Sequence, residues 1–180
     1  MPAMKQFSKT FAVVALIFLT GSLAFAGRDK KLKTTTADAL EILKDSDSRL
    51  SDWFDDAYGY ALFPTVGKAG FGIGGAFGKG EVYEKGKFIG EARVTQASIG
   101  FQLGGQAYIE IIFFKKKYNL ENFMESRFAL SAQASAVAAA EGAAAHAKYE
   151  HGVAVFTVAK GGLMYEASVG GQKFKYIPKD

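Results

Sequence analysis

The chain has 180 residues and no cysteine, which excludes disulfides and thiolate metal sites. Lysine and arginine number 22 against 18 acidic residues, a net charge of +4. Two of those lysines and no acid lie in residues 1–26, so the remainder carries only +2, too little for a general nucleic-acid binder.

In chain order, Lys5 and Lys9 precede an uncharged apolar core, Phe11 to Leu19, and Ala24-Phe25-Ala26 forms an Ala-x-Ala site. This order predicts an export signal over residues 1–26, with the mature chain beginning at Gly27 in the periplasm or outside the cell. The apolar core is too short for a transmembrane helix. Residues 27–49 open with Arg28, Lys30, Lys31 and Lys33, then an amphipathic helix from Thr36 to about Ser48 with Leu40 and Leu43 on one face. Ser51 can cap a second, short helix whose Trp53, Phe54 and Ala57 form an apolar patch for a sheet.

From Tyr58 the pattern turns to strands. Expected strands are Tyr58 to Phe63, Ala69 to Phe77 and Glu81 to Glu84. A Lys85-Gly86 turn leads to Lys87 to Ala92, Val94 to Leu103 and Gln106 to Phe114. Asn119 is expected to cap a helix running to Glu125. Strands at Val153 to Ala159, Leu163 to Val169 and Phe174 to Ile177 close the chain. The segment Phe128 to Ala145 is ambiguous: its alanines favour helix, yet Ser131, Gln133 and Ser135 alternate with apolar neighbours. Two helices followed by eight or nine strands predict an α+β fold: an antiparallel, curled or barrel-like sheet with N-terminal helices and one short internal helix.

Glycine recurs at Gly70, Gly72 and Gly74 with the strand period of two. One strand face is therefore nearly bare, which predicts close approach by another backbone, a helix or a ligand. A Rossmann fingerprint needs a strand before the glycines and a helix after them, but strand-like residues flank this run on both sides. A P-loop needs Ser or Thr after Gly-Lys; Gly67-Lys68 is followed by Ala69, and Gly78-Lys79 by Gly80.

Catalytic machinery is scarce. The two histidines, His146 and His151, are five residues apart and read as loop or turn residues. Asp45-x-Asp47 begins like a calcium loop, but Arg49 and Leu50 stand at a ligand position and at the obligatory glycine. No metal, cofactor or enzymatic activity is implied. Glu110 stands out in the apolar run Tyr108 to Ile112, and Glu166 is similar. Each is expected to reach solvent at a strand end or to pair with Arg93 or Arg127; the alternative is a polar post inside a ligand cavity. Lys115, Lys116 and Lys117 form a basic knot after the apolar run Ile109 to Phe114.

The motifs Phe63-Pro64-Thr65-Val66-Gly67-Lys68-Ala69-Gly70-Phe71, Gly74-Gly75 and Gly78-Lys79-Gly80 resemble the signature of the SYLF domain. The resemblance continues at Ser98 to Gln106, at Lys160-Gly161-Gly162-Leu163-Met164 and at Ser168-Val169-Gly170-Gly171, and spans about Leu50 to Ile177. It tips Phe128 to Ala145 toward strand and makes residues 50–180 a SYLF-like domain. Eukaryotic relatives bind phosphoinositides and, in yeast, actin; bacterial ones are small exported proteins described as lipid-binding. The resemblance thus implies a non-catalytic domain whose partner is an anionic phospholipid or membrane surface, not nucleic acid. Candidate lipid contacts are Lys30, Lys31, Lys33, Lys68, Lys115, Lys116 and Lys117. Export makes actin an implausible partner unless the protein is delivered to a host cell. The alternative is an envelope structural or adhesive protein that binds another protein.

Overall fold

A capping box opens the first helix of the computed structural model. The model describes residues 35–126, 135–138, 142–160, 167–168 and 171–180, all within the unit Thr34–Asp180. Helix α1 spans Thr36–Ser46, and its cap is Thr35, one residue earlier than the sequence suggested. The Thr35 hydroxyl accepts from Asp38 N at 3.2 Å, and Thr35 N donates back to the Asp38 carboxylate at 3.1 Å. These bonds hold the Asp38 carboxyl below its ordinary range. Ala39 and Leu43, one turn apart, are the fully buried residues of α1. Helix α2, Leu50–Asp56, starts at Leu50 rather than at a Ser51 cap.

Two very long strands follow instead of six short ones: β1, Gly59–Glu84, and β2, Lys87–Phe114. They pair antiparallel from Gly59↔Phe114 to Glu84↔Lys87, with register shifts at Phe63/Val66, Gly70/Gly72 and Val82/Tyr83. Bulges bend a strand without ending its pairing: the break expected after Phe63 is a register shift within β1, and the one expected at Gly78–Gly80 is absent, since pairing runs through it in register. Lys85 and Gly86 have φ of 48° and 74°, the double left-handed geometry of a tight hairpin. The two glycine-rich stretches oppose each other: Gly70 faces Gly104, and Gly72 faces Gly100.

The hairpin curls until the halves of β1 lie beside each other. Lys85 N donates to Tyr58 O at 2.9 Å, and the Tyr60 and Tyr83 rings stack at 4.8 Å. Glycine permits the contact. A Cβ at Gly80 would lie 2.5 Å from Leu62 O, and one at Gly59 would lie 2.5 Å from Tyr83 O. Close approach was expected at Gly70, Gly72 and Gly74; among the described residues it is seen further along the strand.

Helix α3, Lys117–Met124, follows β2; then come β3, Ser135–Ala138; α4, Ala143–His146; β4, Val153–Lys160; β5, Ala167–Ser168; and β6, Lys173–Pro178. The six strands run β1-β2-β4-β3-β5, with β6 also paired to β2. Strand β4 covers Ala107 to Phe114 of β2, and β6 covers Gly90 to Thr95. The order is an open path, so the described sheet curls but does not close into a barrel. The sheet is not wholly antiparallel either, because β3 joins β4 in parallel. Strand was expected throughout Phe128 to Ala145. Ser135–Ala138 is a strand, but Ala143–His146 is a helical turn opened by Gly142 at φ 81°, and the other residues of that segment, Gly142 apart, lie outside the described set. So does most of the strand expected at Leu163 to Val169, of which Ala167–Ser168 is described.

Alternation along the strands divides the core into two clusters. Ala61, Phe63, Val82, Val94, Ile112, Phe114, Phe123 and Phe174 fill the inside of the curl. Leu62, Ile109, Ile111, Phe113 and Phe156 face outward and are covered by Ala39, Leu43 and Leu50, with Trp53 and Phe54 against them. The apolar patch read on the second helix does dock on the sheet. Burial of each large apolar side chain contributes about 1.5–3 kcal/mol.

Asp47 ties the helices together. It is buried; its Oδ2 accepts from Ala144 N at 2.8 Å and its Oδ1 from Arg49 N at 3.1 Å. Its place in a calcium-like spacing reflects this bracing role. Asp47→Ala would orphan the buried Ala144 N–H, and a urea midpoint should show a loss of about 1–3 kcal/mol.

Candidate functional site: a basic cleft floored by aromatic rings

Trp53 of α2 stands at the centre of a group of aromatic rings. Its ring centroid lies 4.7 Å from that of Tyr149, 4.9 Å from Phe156 and 5.9 Å from Phe113. Its Nε1 donates to Ala144 O at 3.2 Å, which fixes the indole plane. Above it opens a cleft of about 690 Å³, bounded by α2, the end of β2, the start of α3 and the segment from Ala147 to Gly152.

The rim is built by local hydrogen bonds. Helix α3 starts earlier than expected: its N-cap is Lys116, and Asn119 lies in its first turn, where its Oδ1 accepts from Lys116 N at 3.2 Å while its Nδ2 donates to His151 O at 3.1 Å. His151 and Gly152, at φ 53° and 83°, make the tight turn into β4. Gly152 is also sterically required, since a Cβ there would lie 2.5 Å from Asn119 Oδ1. Lys115 N donates to Gly152 O at 2.9 Å and closes the rim.

Three lysines meet in this cleft: Lys115, Lys116 and Lys148. The Lys115 ammonium lies 4.8 Å from the centre of the Tyr149 ring and 3.7 Å from Asp56 Oδ2. That ion pair is about half exposed, so its net contribution is small. Burial, with the Asp56 carboxylate adding to it, pushes the Tyr149 phenol well above its ordinary value. Tyr118, 54% exposed, completes the wall. The arrangement can hold an anionic group on the ammoniums while an apolar or aromatic group rests on the rings.

Only part of the expected set converges here. Lys115 and Lys116 line the cleft, but Lys117 turns along α3 to pair with Glu121 at 3.0 Å. Lys68 stands opposite Gln106, nine residues or about 30 Å along the strand from Lys115, and is not part of the cleft. Lys30, Lys31 and Lys33 lie outside the described residues. Sequence reasoning missed Lys148, Tyr149 and Trp53 as site residues. No local signal links them; the topology alone brings α2 and the Ala147–Gly152 segment to the end of β2. Among the described residues no group of His, Asp and Glu is arranged to hold a metal.

Glu110 differs from its expectation. It is fully buried on the inner face, four residues before β2 ends at Phe114, and among the described residues its hydrogen-bond partner is Gln172, not Arg93; Arg127 lies outside them. Burial pushes its carboxyl up to about 7, against the lowering effect of the Gln172 hydrogen bond. Glu166 lies outside the described residues.

The fold and cleft together define a curled β-sheet domain with an open cleft lined by Lys115, Lys116 and Lys148, by Asp52 and Asp56, and by aromatic rings. Residues 95–176 match the family model described as Ysc84, Las17-binding protein actin regulator. The chain is also 29% identical over 136 residues to Beta cell expansion factor A of Aeromonas veronii. That match covers 71% of this chain and 48% of the relative, so the chain spans about half the length of the curated protein it matches. Residues 95–176 fall within the stretch whose glycine motifs resemble the SYLF domain, and both matches agree with that resemblance.

Proposed function

We infer that the domain is a non-catalytic, exported module that binds anionic phospholipid surfaces. The observation that carries the reading is the meeting of Lys115, Lys116 and Lys148 over Trp53, Tyr118 and Tyr149 in one open cleft. Basic residues are drawn to an anionic leaflet by about 1 kcal/mol each near the surface, and aromatic rings favour the interfacial zone. In this reading Lys30, Lys31 and Lys33 add a second contact, and the mature chain begins at Gly27 after export. The family description names a Las17-binding actin regulator, which favours a protein partner at the same surface as the second reading.

Co-sedimentation with liposomes of varied headgroup across a salt series tests the proposal. Replacing Lys115, Lys116 and Lys148 together with glutamine should weaken binding to anionic vesicles by about 3 kcal/mol at low salt. The difference should shrink near 1 M salt, where the screening length falls to about 3 Å. A matched triple replacement of Lys30, Lys31 and Lys33 measures the N-terminal contribution. If neither triplet matters while the wild type binds, the placement is wrong; if the wild type ignores vesicles, the protein-partner reading takes its place.

A further inference from the structure

We propose that Glu110 and Gln172 form a buried acid–amide latch, closed by one proton on Glu110, that fastens the start of β6 to the last stretch of β2. Gln172 immediately precedes Lys173, the first residue of β6, while Glu110 sits within the stretch of β2 covered by β4. Both side chains are wholly inaccessible to solvent. Gln172 Nε2 donates to Glu110 Oε2 at 2.9 Å and reaches Tyr108 Oη at 3.3 Å.

That leaves an imbalance. Glu110 Oε1 and Gln172 Oε1 are buried without a hydrogen-bond partner, as is Thr157 Oγ1 across the strand from Glu110. Turning the amide over does not help, because it would set Gln172 Oε1 against Glu110 Oε2. An ionised carboxylate has no donor to offer. A proton on Oε1 converts one orphan acceptor into a donor that Gln172 Oε1 or Thr157 Oγ1 can accept. With Gln172 the result is a ring of two parallel bonds, Nε2–H···Oε2 and Oε1–H···Oε1. Ionisation removes the second bond and leaves a buried charge, which is costly without a cationic partner.

Among the described residues, the groups facing Glu110 are Phe63 from β1, Thr157 from β4, Gln172 before β6, and Tyr108 on its own strand. Tyr108 alone among these titrates, and burial holds its phenol far above neutrality. The pKa of about 7 for Glu110 accords with this setting. A raised acid pKa gives stability that is fully present below the unfolded value of 4.5 and lost as pH rises through about 7.

The test compares the wild type with Glu110→Gln, an amide that keeps the shape and cannot ionise. Between pH 4.5 and 7.5 the wild-type unfolding constant should rise by about two orders of magnitude relative to the variant. An infrared difference spectrum at pH 5.5 should show a protonated-carboxyl stretch in the wild type that Glu110→Gln lacks and that fades by pH 8.5. At pH 8.5, β6 amides should exchange faster in the wild type than in the variant. Parallel stability curves, or no such stretch, would overturn the proposal. Gln172→Leu keeps the test open if Glu110→Gln does not fold. It should shift the carboxyl stretch and speed β6 exchange at pH 5.5; an unchanged stretch and unchanged exchange would refute the Gln172 latch.

Discussion

Replacing Gly80 by valine is expected to destabilise the domain by at least about 3 kcal/mol. The reason is space, not backbone conformation. Gly80 lies where β1 folds back on itself, and its missing side chain leaves room for another stretch of main chain. A Cβ would meet Leu62 O at 2.5 Å and the Phe63 ring at 2.6 Å. A flexible side chain could move aside, but the Leu62 carbonyl belongs to a strand paired with β2 at Ile111. Overpacking costs about 1–3 kcal/mol where side chains can shift, and more where backbone must. Lys79→Val, one residue away on the exposed face, is the control. It adds a β-favouring side chain where nothing opposes it and should change stability by less than about 0.5 kcal/mol. Urea midpoints of the two variants decide the matter. Equal midpoints would show that curling does not depend on the glycine.

How much of this was legible in the sequence follows from where each signal resides. Period-two glycine implied a bare strand face and close approach, because a missing Cβ is a local fact with a local consequence. The sequence could not say which backbone would fill the space: Leu62 and Gly80 meet only after a bend, and bends depend on register. The strand count failed for a related reason. Pro64 and the paired glycines read as breaks, whereas here they mark bulges within continuous strands. Proline at a bulge costs no ladder bond, so the hairpin runs through. Trp53 and Phe54 were placed correctly against the sheet, since an apolar patch on a short helix must be covered. The roles of Asp47 and Glu110 were not legible because their partners, Ala144 and Gln172, lie 97 and 62 residues away. The cleft was half legible for the same reason. Lys115 and Lys116 are neighbours in sequence, but Lys148 reaches them only through the turn at His151 and Gly152.

Trp53→Ala is expected to cost about 3 kcal/mol of stability and to lower affinity for anionic vesicles. The large-to-small change would leave a void against Tyr149, Phe113 and Phe156; a value at the low end of the range for aromatic deletions is expected because Trp53 is only partly buried. It would also release Ala144 O, which together with the Asp47 contact on Ala144 N anchors α4 to the N-terminal helices. Trp53→Phe separates these effects. It keeps most of the ring contact but not the Nε1 hydrogen bond, so about 1 kcal/mol should be lost. The effect on binding follows from the ring contacts. Trp53 supports Tyr149, the Tyr149 ring carries the Lys115 ammonium, and a shift of that ring displaces one of the three cations in the cleft. Because Trp53 is the one tryptophan in the chain, its emission reports on the cleft floor directly. Titrating the wild type with anionic vesicles should shift that emission to shorter wavelength, and high salt should reverse the shift. Vesicles that sediment the protein without moving its emission would place the lipid elsewhere, with Lys68 and the segment of Lys30, Lys31 and Lys33 as the candidate basic contacts.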